Sequence, residues 1–392
     1  SEMHFVSALD RVPGMRCILA TFEGVVTGAA DGYARMAEKP AATLLHCAPG
    51  LGNGLANLHN AWRASVPMVN IVGDHVTHFK PLDPLLANDT DGWARPVSAW
   101  LRTTGDAATV GSDAAEAVAA ARAGRPGIAT LVLPSDVSWS DGGIVAAPRP
   151  VTPPARADEA TIQRVAHVLR TGEPVMIMLG GRALRAAPTR EAARIAAATG
   201  ALVSAETFNT RVERGRGRIN VLRTPYPVDA ALEYFQGIRH LVLVEAKDPI
   251  AFFSYPGKPG RLREADTAVH VLAALDEDGP DALARLAEAL AAPELVEIAT
   301  PATPEPARGE VNAEAFAHSL AAYLPENAVV VDESLTFGFS TYPSTAAAAP
   351  HDWLQVTGGS IGIGFPLATG AAVGAPGRRV VNLQADGSAL YT

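Results

Sequence analysis

Short apolar runs of strand length alternate with Ala-rich helical stretches from one end of this chain to the other, and few architectures admit that pattern. "AATLLHC", "MVNIVGD" and "IATLVLP" are followed by "PVMIML", "ALVSAE", "HLVLVEA" and "TAVHVLA", then by "AVVVDES" and "RRVVNLQ". A run that is apolar at nearly every position is buried on both faces, which calls for a parallel sheet with helices on each side. The fold class is therefore α/β: three doubly wound parallel-sheet domains, the C-terminal one incomplete in this chain. "RCILAT", residues 16–21, reads as the first strand, and helices are expected near 23–37, 54–64, 113–123 and 311–323.

Two Pro-rich stretches interrupt the alternation, "AAPRPVTPPARA" at 146–157 and "ATPATPEPARG" at 299–309. Proline fixes φ and removes a backbone donor, so both read as stiff linkers. They bound domains at 1–147, 158–299 and 310–392, and 392 residues is indeed long for one core. The chain opens at "SEMHF" without an apolar targeting segment. It stops at "ADGSALYT", directly after a strand-like run, and further residues are expected beyond that point.

Composition removes several functions. Hydrophobic residues make up 48% and charged residues 19%, a globular balance, and the longest apolar runs are too short to cross a bilayer. The net charge of −9 leaves no basic footprint for nucleic acid. "RVERGRGR" at 211–218 reads as a solvated loop, with a seat for an anionic cofactor as the other reading. Two cysteines, Cys17 and Cys47, cannot build a disulfide framework and lack metal-ligand spacing, so a reducing, cytoplasmic setting is expected.

Chemistry concentrates in a few segments. In "ILATFEGVVTGAADGYARM", residues 18–36, the single carboxylate Glu23 stands where an apolar strand meets a helix of small residues. It either caps that helix or was placed to work, and Gly and Val around it make a poor cap. "HCAPGLGNG", residues 46–54, reads as a Gly-rich loop that brings backbone close to a ligand and leaves amides free at a helix start. Beside it, His46 is either a satisfied core histidine or a group facing the ligand. No G-x-G-x-x-G or P-loop occurs.

"GGSIG", residues 358–362, matches the nucleophile elbow of hydrolases, but that order needs a histidine downstream of Ser360 and the last histidine is His351. In "LQADGS", residues 383–388, Asp386 is either the start of a common D-G turn or one oxygen ligand of Mg2+.

Taken together, these segments resemble the thiamine diphosphate-dependent family of acetolactate synthase, pyruvate oxidase and benzoylformate decarboxylase. The matching motifs are Glu23 with "ADGYAR", "APGLGNGLANLHNAW", "GGSIGIG" and "ADGS". The resemblance implies a pyrimidine-binding, a central and a diphosphate-binding domain. It implies that Glu23 hydrogen-bonds the cofactor's aminopyrimidine, in an apolar setting that raises its pKa, and that the Gly359 carbonyl accepts from the exocyclic amine. Ile361 would wedge the cofactor into its bent form, Asp386 would bind Mg2+, and Thr336, Gly387 and Ser388 would lie near the diphosphate.

The implied reaction is decarboxylation of a 2-oxo acid with transfer of the enamine to a carbonyl acceptor, as in acetolactate synthases. His46 in "LLHCAPG" and the stretch "LLANDTDGWARPVSAW" resemble benzoylformate decarboxylase instead, where the product is released. A third reading is a non-catalytic relative that serves as an assembly partner. The resemblance also implies a homodimer or homotetramer with the cofactor held between subunits. FAD in the central domain is left open by "LGGRALR", residues 179–185.

Overall fold

The computed structural model describes residues 2–392. They fall into two compact units, one running to Pro153 and resuming at Val356–Thr392, the other spanning Pro154–Gln355. In the first unit, β1 (Ala41–His46), β2 (Met68–Asp74), β3 (Trp100–Thr103) and β4 (Ile128–Pro134) form a parallel sheet in the order β1-β2-β4-β3. β4 is buried at every position and β2 at all but one, as continuous apolar runs require. Leu45, Met68, Val72, Ile128 and Val132 pack with Leu51 and Leu58 of the Cys47–Arg63 helix. Residues 16–20, expected as a strand, take no regular structure, and Ile18 and Leu19 are exposed. No neighbouring strand among the described residues pairs their backbone groups, and an unpaired strand has little to hold it.

The expected helix at 23–37 is present as Glu23–Ala37, ended by Glu38 in the left-handed region at φ 55°. It packs on the Gly364–Gly374 helix at unusually short range. A Cβ at Gly32 would lie 2.0 Å from the Leu367 carbonyl oxygen, and one at Gly370 would lie 1.8 Å from that of Ala29. Only glycine lets two helix backbones meet so closely. "DGYAR" adds a polar lock: Arg35 donates through Nε and Nη2 to both Asp31 oxygens at 2.6 and 2.7 Å, with both side chains fully buried. Nη2 also reaches Thr357 Oγ1 at 3.3 Å.

The second unit holds β5 (Val175–Leu179), β6 (Leu202–Ala205), β7 (Val212–Arg214), β8 (Leu222–Arg223), β9 (His240–Val244) and β10 (Ala268–Ala273). Five of these form a parallel sheet, β10-β9-β5-β6-β8. β11 (Ala328–Glu333) runs parallel to β12 (His351–Gln355), and β7 pairs with β12 antiparallel. The segment 211–218 is therefore not simply a solvated loop. Its first half is a strand, with Arg211 and Arg214 buried. Burial is tolerated because Arg211 Nε donates to Asp352 Oδ1 at 2.9 Å and the Arg214 guanidinium lies 3.6 Å from the Tyr342 ring centroid. The last strand, β13 (Val380–Gln384), belongs to the first unit. Among the described residues no helix is long and apolar enough to cross a membrane.

Candidate functional site

Glu23 is the first residue of its helix and half-buried. Asn53 Nδ2 donates to its Oε2 at 3.1 Å, and among the described residues Oε1 has no partner. The carboxylate therefore stands beside a polar amide at a partly open site, not in the sealed apolar setting expected from its neighbours in sequence.

The glycines of "HCAPGLGNG" do not form a loop. The helix begins at Cys47 and absorbs all of them, leaving His46 as the extended residue before it. Their smallness serves contact. A Cβ at Gly50 would sit 3.3 Å from Glu23 Oε1 and 3.4 Å from His46 Cβ, and one at Gly54 would sit 2.9 Å from Thr27 Cγ2. Gly50 thus leaves room between the Glu23 carboxylate and the root of the His46 side chain. Thr27 Oγ1 donates to the Gly54 carbonyl at 3.1 Å and Asn57 Nδ2 to that of Gly24 at 2.8 Å, fixing the two helices in register.

His46 is not a core histidine; its side chain is 52% exposed. Its Nδ1 lies 2.6 Å from Glu2 Oε2. Nothing in "SEMHF" marks Glu2, because its partner is 44 residues away and the pairing exists only in the fold. A carboxylate at Nδ1 fixes the tautomer and leaves Nε2 as the exchanging nitrogen. Cys47 completes a potential donor set, since atoms of Glu2, His46 and Cys47 lie within 4.8 Å of one another. Burial, reinforced by the Glu2 and Asp74 charges, pushes the Cys47 thiol up to about 11.

"GGSIG" is strapped onto the Cys47–Arg63 helix by a single side chain. Asn60 Oδ1 accepts from the Gly358 and Ser360 amides at 3.0 and 3.2 Å, and its Nδ2 donates to the Ser360 carbonyl at 2.7 Å. His59 Nε2 donates to the Gly358 carbonyl at 3.1 Å. Gly359 and Gly362 take φ of 76° and 99°, where glycine is at home. Ser360 has its backbone pinned on both sides and no histidine bonded to its hydroxyl, unlike an elbow nucleophile. Asn60 was missed from sequence, although Asn57 and Asn60 three residues apart in "ANLHNAW" mark one polar helix face. Among the described residues the carbonyl of exposed Gly359 has no partner, and Ile361 is half-buried.

"LQADGS" ends in one helical turn, Asp386–Ala389, with Asp386 and Gly387 exposed. Ser388 is buried, and among the described residues its Oγ has no hydrogen-bond partner. Thr392 Oγ1 donates to the Gly362 carbonyl, joining this turn to the strapped segment. Thr336 lies in the second unit, exposed in the Leu335–Ser340 turn after β11, and is not among the residues gathered here. In that same unit "LGGRALR" makes a turn whose Arg182 amide is taken by the Glu245 carboxylate, which also accepts from the Gly279 amide at 3.0 Å.

Among the described residues Glu23 Oε1, the Gly359 carbonyl and Ser388 Oγ accept or donate no hydrogen bond; the first two face solvent, and Ser388 Oγ alone is a buried orphan that calls for an explanation such as a ligand. Comparison with known proteins supplies the class: the chain belongs to the thiamine diphosphate-dependent enzyme family. Residues 1–89 match the family described as "Thiamine pyrophosphate enzyme, N-terminal TPP binding domain". The chain is 52% identical to the "Putative acetolactate synthase large subunit IlvX" of Mycobacterium tuberculosis, covering 100% of this chain and 75% of that protein. It is 28% identical to a benzoylformate decarboxylase of Pseudomonas aeruginosa, covering 100% and 77%. Its fold superposes with a TM-score of 0.84 on the 4-hydroxybenzoylformate decarboxylase of Rhodococcus jostii RHA1, at 20% identity over 100% of this chain and 77% of that one. These likenesses confirm the α/β architecture and the resemblance read from the motifs.

Proposed function

We propose that this enzyme decarboxylates a 2-oxo acid with thiamine diphosphate and Mg2+ and passes the product to a carbonyl acceptor, as the name of its 52% identical relative suggests. The observation that carries the reading is the set of unpaired atoms on positioned residues: Glu23 Oε1, the Gly359 carbonyl and buried Ser388 Oγ. These are an acceptor for a protonated ring nitrogen, an acceptor for an amine and a donor for a phosphate oxygen. When bound, thiamine diphosphate supplies the electron sink that lets a 2-oxo acid lose carbon dioxide.

The chain's own residues do the rest. Glu23 would hold a proton at the aminopyrimidine; Asn53 orients its carboxylate, and Gly50 leaves room beside it. Ile361 supports the cofactor from the strapped turn. Asp386 would bind Mg2+, with Gly387 and Ser388 toward the diphosphate. Residues 310–392 are read as the start of a third, diphosphate-binding domain, and a second copy of the chain completes the site.

A second reading, protonation and release of an aldehyde, is favoured by one feature. His46, half-exposed and with Glu2 on its Nδ1, would serve as a general acid–base. The two are separated by supplying pyruvate and benzoylformate in turn: acetolactate supports transfer, benzaldehyde supports release. Calorimetry that shows no binding of thiamine diphosphate and Mg2+ to the full-length protein would leave only a non-catalytic assembly partner. Glu23→Gln is expected to keep the unfolding midpoint and lose about 10²–10⁴ in turnover; an active variant overturns the assignment.

A further inference from the structure

We propose that the second unit carries a separate binding pocket for a phosphorylated small molecule, built on the "RGRGR" turn at 214–218. A cavity of about 330 Å³ opens there, lined by Arg190, Arg216 and Arg218, with Ile219, Ile298 and Pro350 as its apolar wall. Glu326 also lines it and is the one carboxylate among the lining residues, so the charge balance is three cations against one anion.

The turn is shaped to deliver those charges. Gly215 and Gly217 take φ of 106° and 75°. A Cβ at Gly215 would lie 2.6 Å from the Ala349 carbonyl oxygen, so the backbone is pressed against the 348–350 segment, where the Arg216 amide donates to the Ala348 carbonyl at 2.9 Å. The three arginines are sorted by this path. Arg214 stacks inward on Tyr342, while Arg216 and Arg218 line the cavity. Arg218 is held by donation from Nη1 to the His351 carbonyl at 3.2 Å. Among the described residues the guanidinium groups of Arg190 and Arg216 have no partner.

Three like charges around one concave space repel one another, and the arrangement focuses positive potential where an anion would relieve it. Guanidinium forks match the several acceptor oxygens of a phosphoryl group better than they match a single carboxylate. The volume lies at the lower end for small-molecule sites, which run from roughly 300 to 1,000 Å³. The apolar wall suits a ring or carbon skeleton, and Glu326 suits a hydroxyl donor. A sugar phosphate or nucleoside phosphate carries all three features.

The test is calorimetric titration of the full-length protein, saturated throughout with thiamine diphosphate and Mg2+, using AMP, ribose 5-phosphate and orthophosphate, with adenosine as the uncharged control. AMP or ribose 5-phosphate is expected to bind more tightly than orthophosphate, and adenosine not at all. Arg190→Gln with Arg216→Gln is expected to weaken that binding by about tenfold or more, with thiamine diphosphate affinity and unfolding midpoint unchanged. Arg216→Lys, which keeps the charge and loses the fork, should fall between. The proposal is overturned if no phosphate probe binds at millimolar concentration, if adenosine binds as well as AMP, or if the double variant binds as the native protein does.

Discussion

Glycine does opposite work in the two units. In the first, Gly32, Gly50, Gly54 and Gly370 lie inside helices, where a side chain would strike a backbone carbonyl or a neighbouring residue. In the second, Gly215 and Gly217 sit in a turn at positive φ, and nothing stands within 4 Å of the place a Gly217 side chain would begin. The helix glycines are selected by what lies across from them and Gly217 by its own backbone, while Gly215 meets both conditions, since a Cβ there would lie 2.6 Å from the Ala349 carbonyl oxygen. The difference is also functional. In its helix, Gly50 leaves room between the Glu23 carboxylate and the root of the His46 side chain in the proposed cofactor site, whereas turn glycines aim Arg216 and Arg218 into a cavity.

The largest effect is expected where the helix packing of the first unit includes a charge. Asp31→Asn would leave the Arg35 guanidinium buried without its counter-ion, at a cost of about 3–5 kcal/mol. Denaturant titration measures it, and a cost below 1 kcal/mol would mean that Thr357 or solvent takes over the guanidinium. Gly32→Ala comes next and sharpens the comparison because two terms oppose each other. Alanine favours a helix over glycine by about 1 kcal/mol, so the substitution would stabilise an isolated helix. Here the new methyl would meet the Leu367 carbonyl at 2.0 Å, and overpacking of this kind costs about 1–3 kcal/mol. A net loss is expected by the same titration; a gain would show that the two helices separate freely.

Much of this was legible in the sequence. Runs such as "IATLVLP" announced a strand buried on both faces, and β4 is buried throughout, because burial on both faces leaves no polar side to encode. Glu23 was legible as a charge out of place, and "GGSIG" and "ADGS" as segments that turn sharply after strand-like runs. Glycine richness misled at "HCAPGLGNG", since the residue that frees a loop also permits a tight helix contact, and only the partner tells which. Gly28 with Gly32 and Gly370 with Gly374, each four apart, carry the helix-packing signature, whereas glycines alternating with arginine carry the turn. Glu2 and Asn60 were illegible for another reason. Their partners, His46 and the 358–360 backbone, lie 44 and about 300 residues away, and no local pattern records a contact of that range.

The smallest effect tests the other side of the comparison. Gly217→Ala adds a methyl to open space, so packing predicts no cost; backbone conformation alone predicts about 1–2 kcal/mol, the penalty of holding an L-residue in the left-handed region. Gly217→Asn should recover part of that loss, because asparagine visits this region more readily. Gly32→Asn should recover nothing, since there the obstacle is the Leu367 carbonyl and not φ. Denaturant midpoints for the four variants give the answer. If asparagine rescues neither site or both, the two classes of glycine collapse into one. If it rescues only Gly217, conformation governs the turn and contact governs the helix pair.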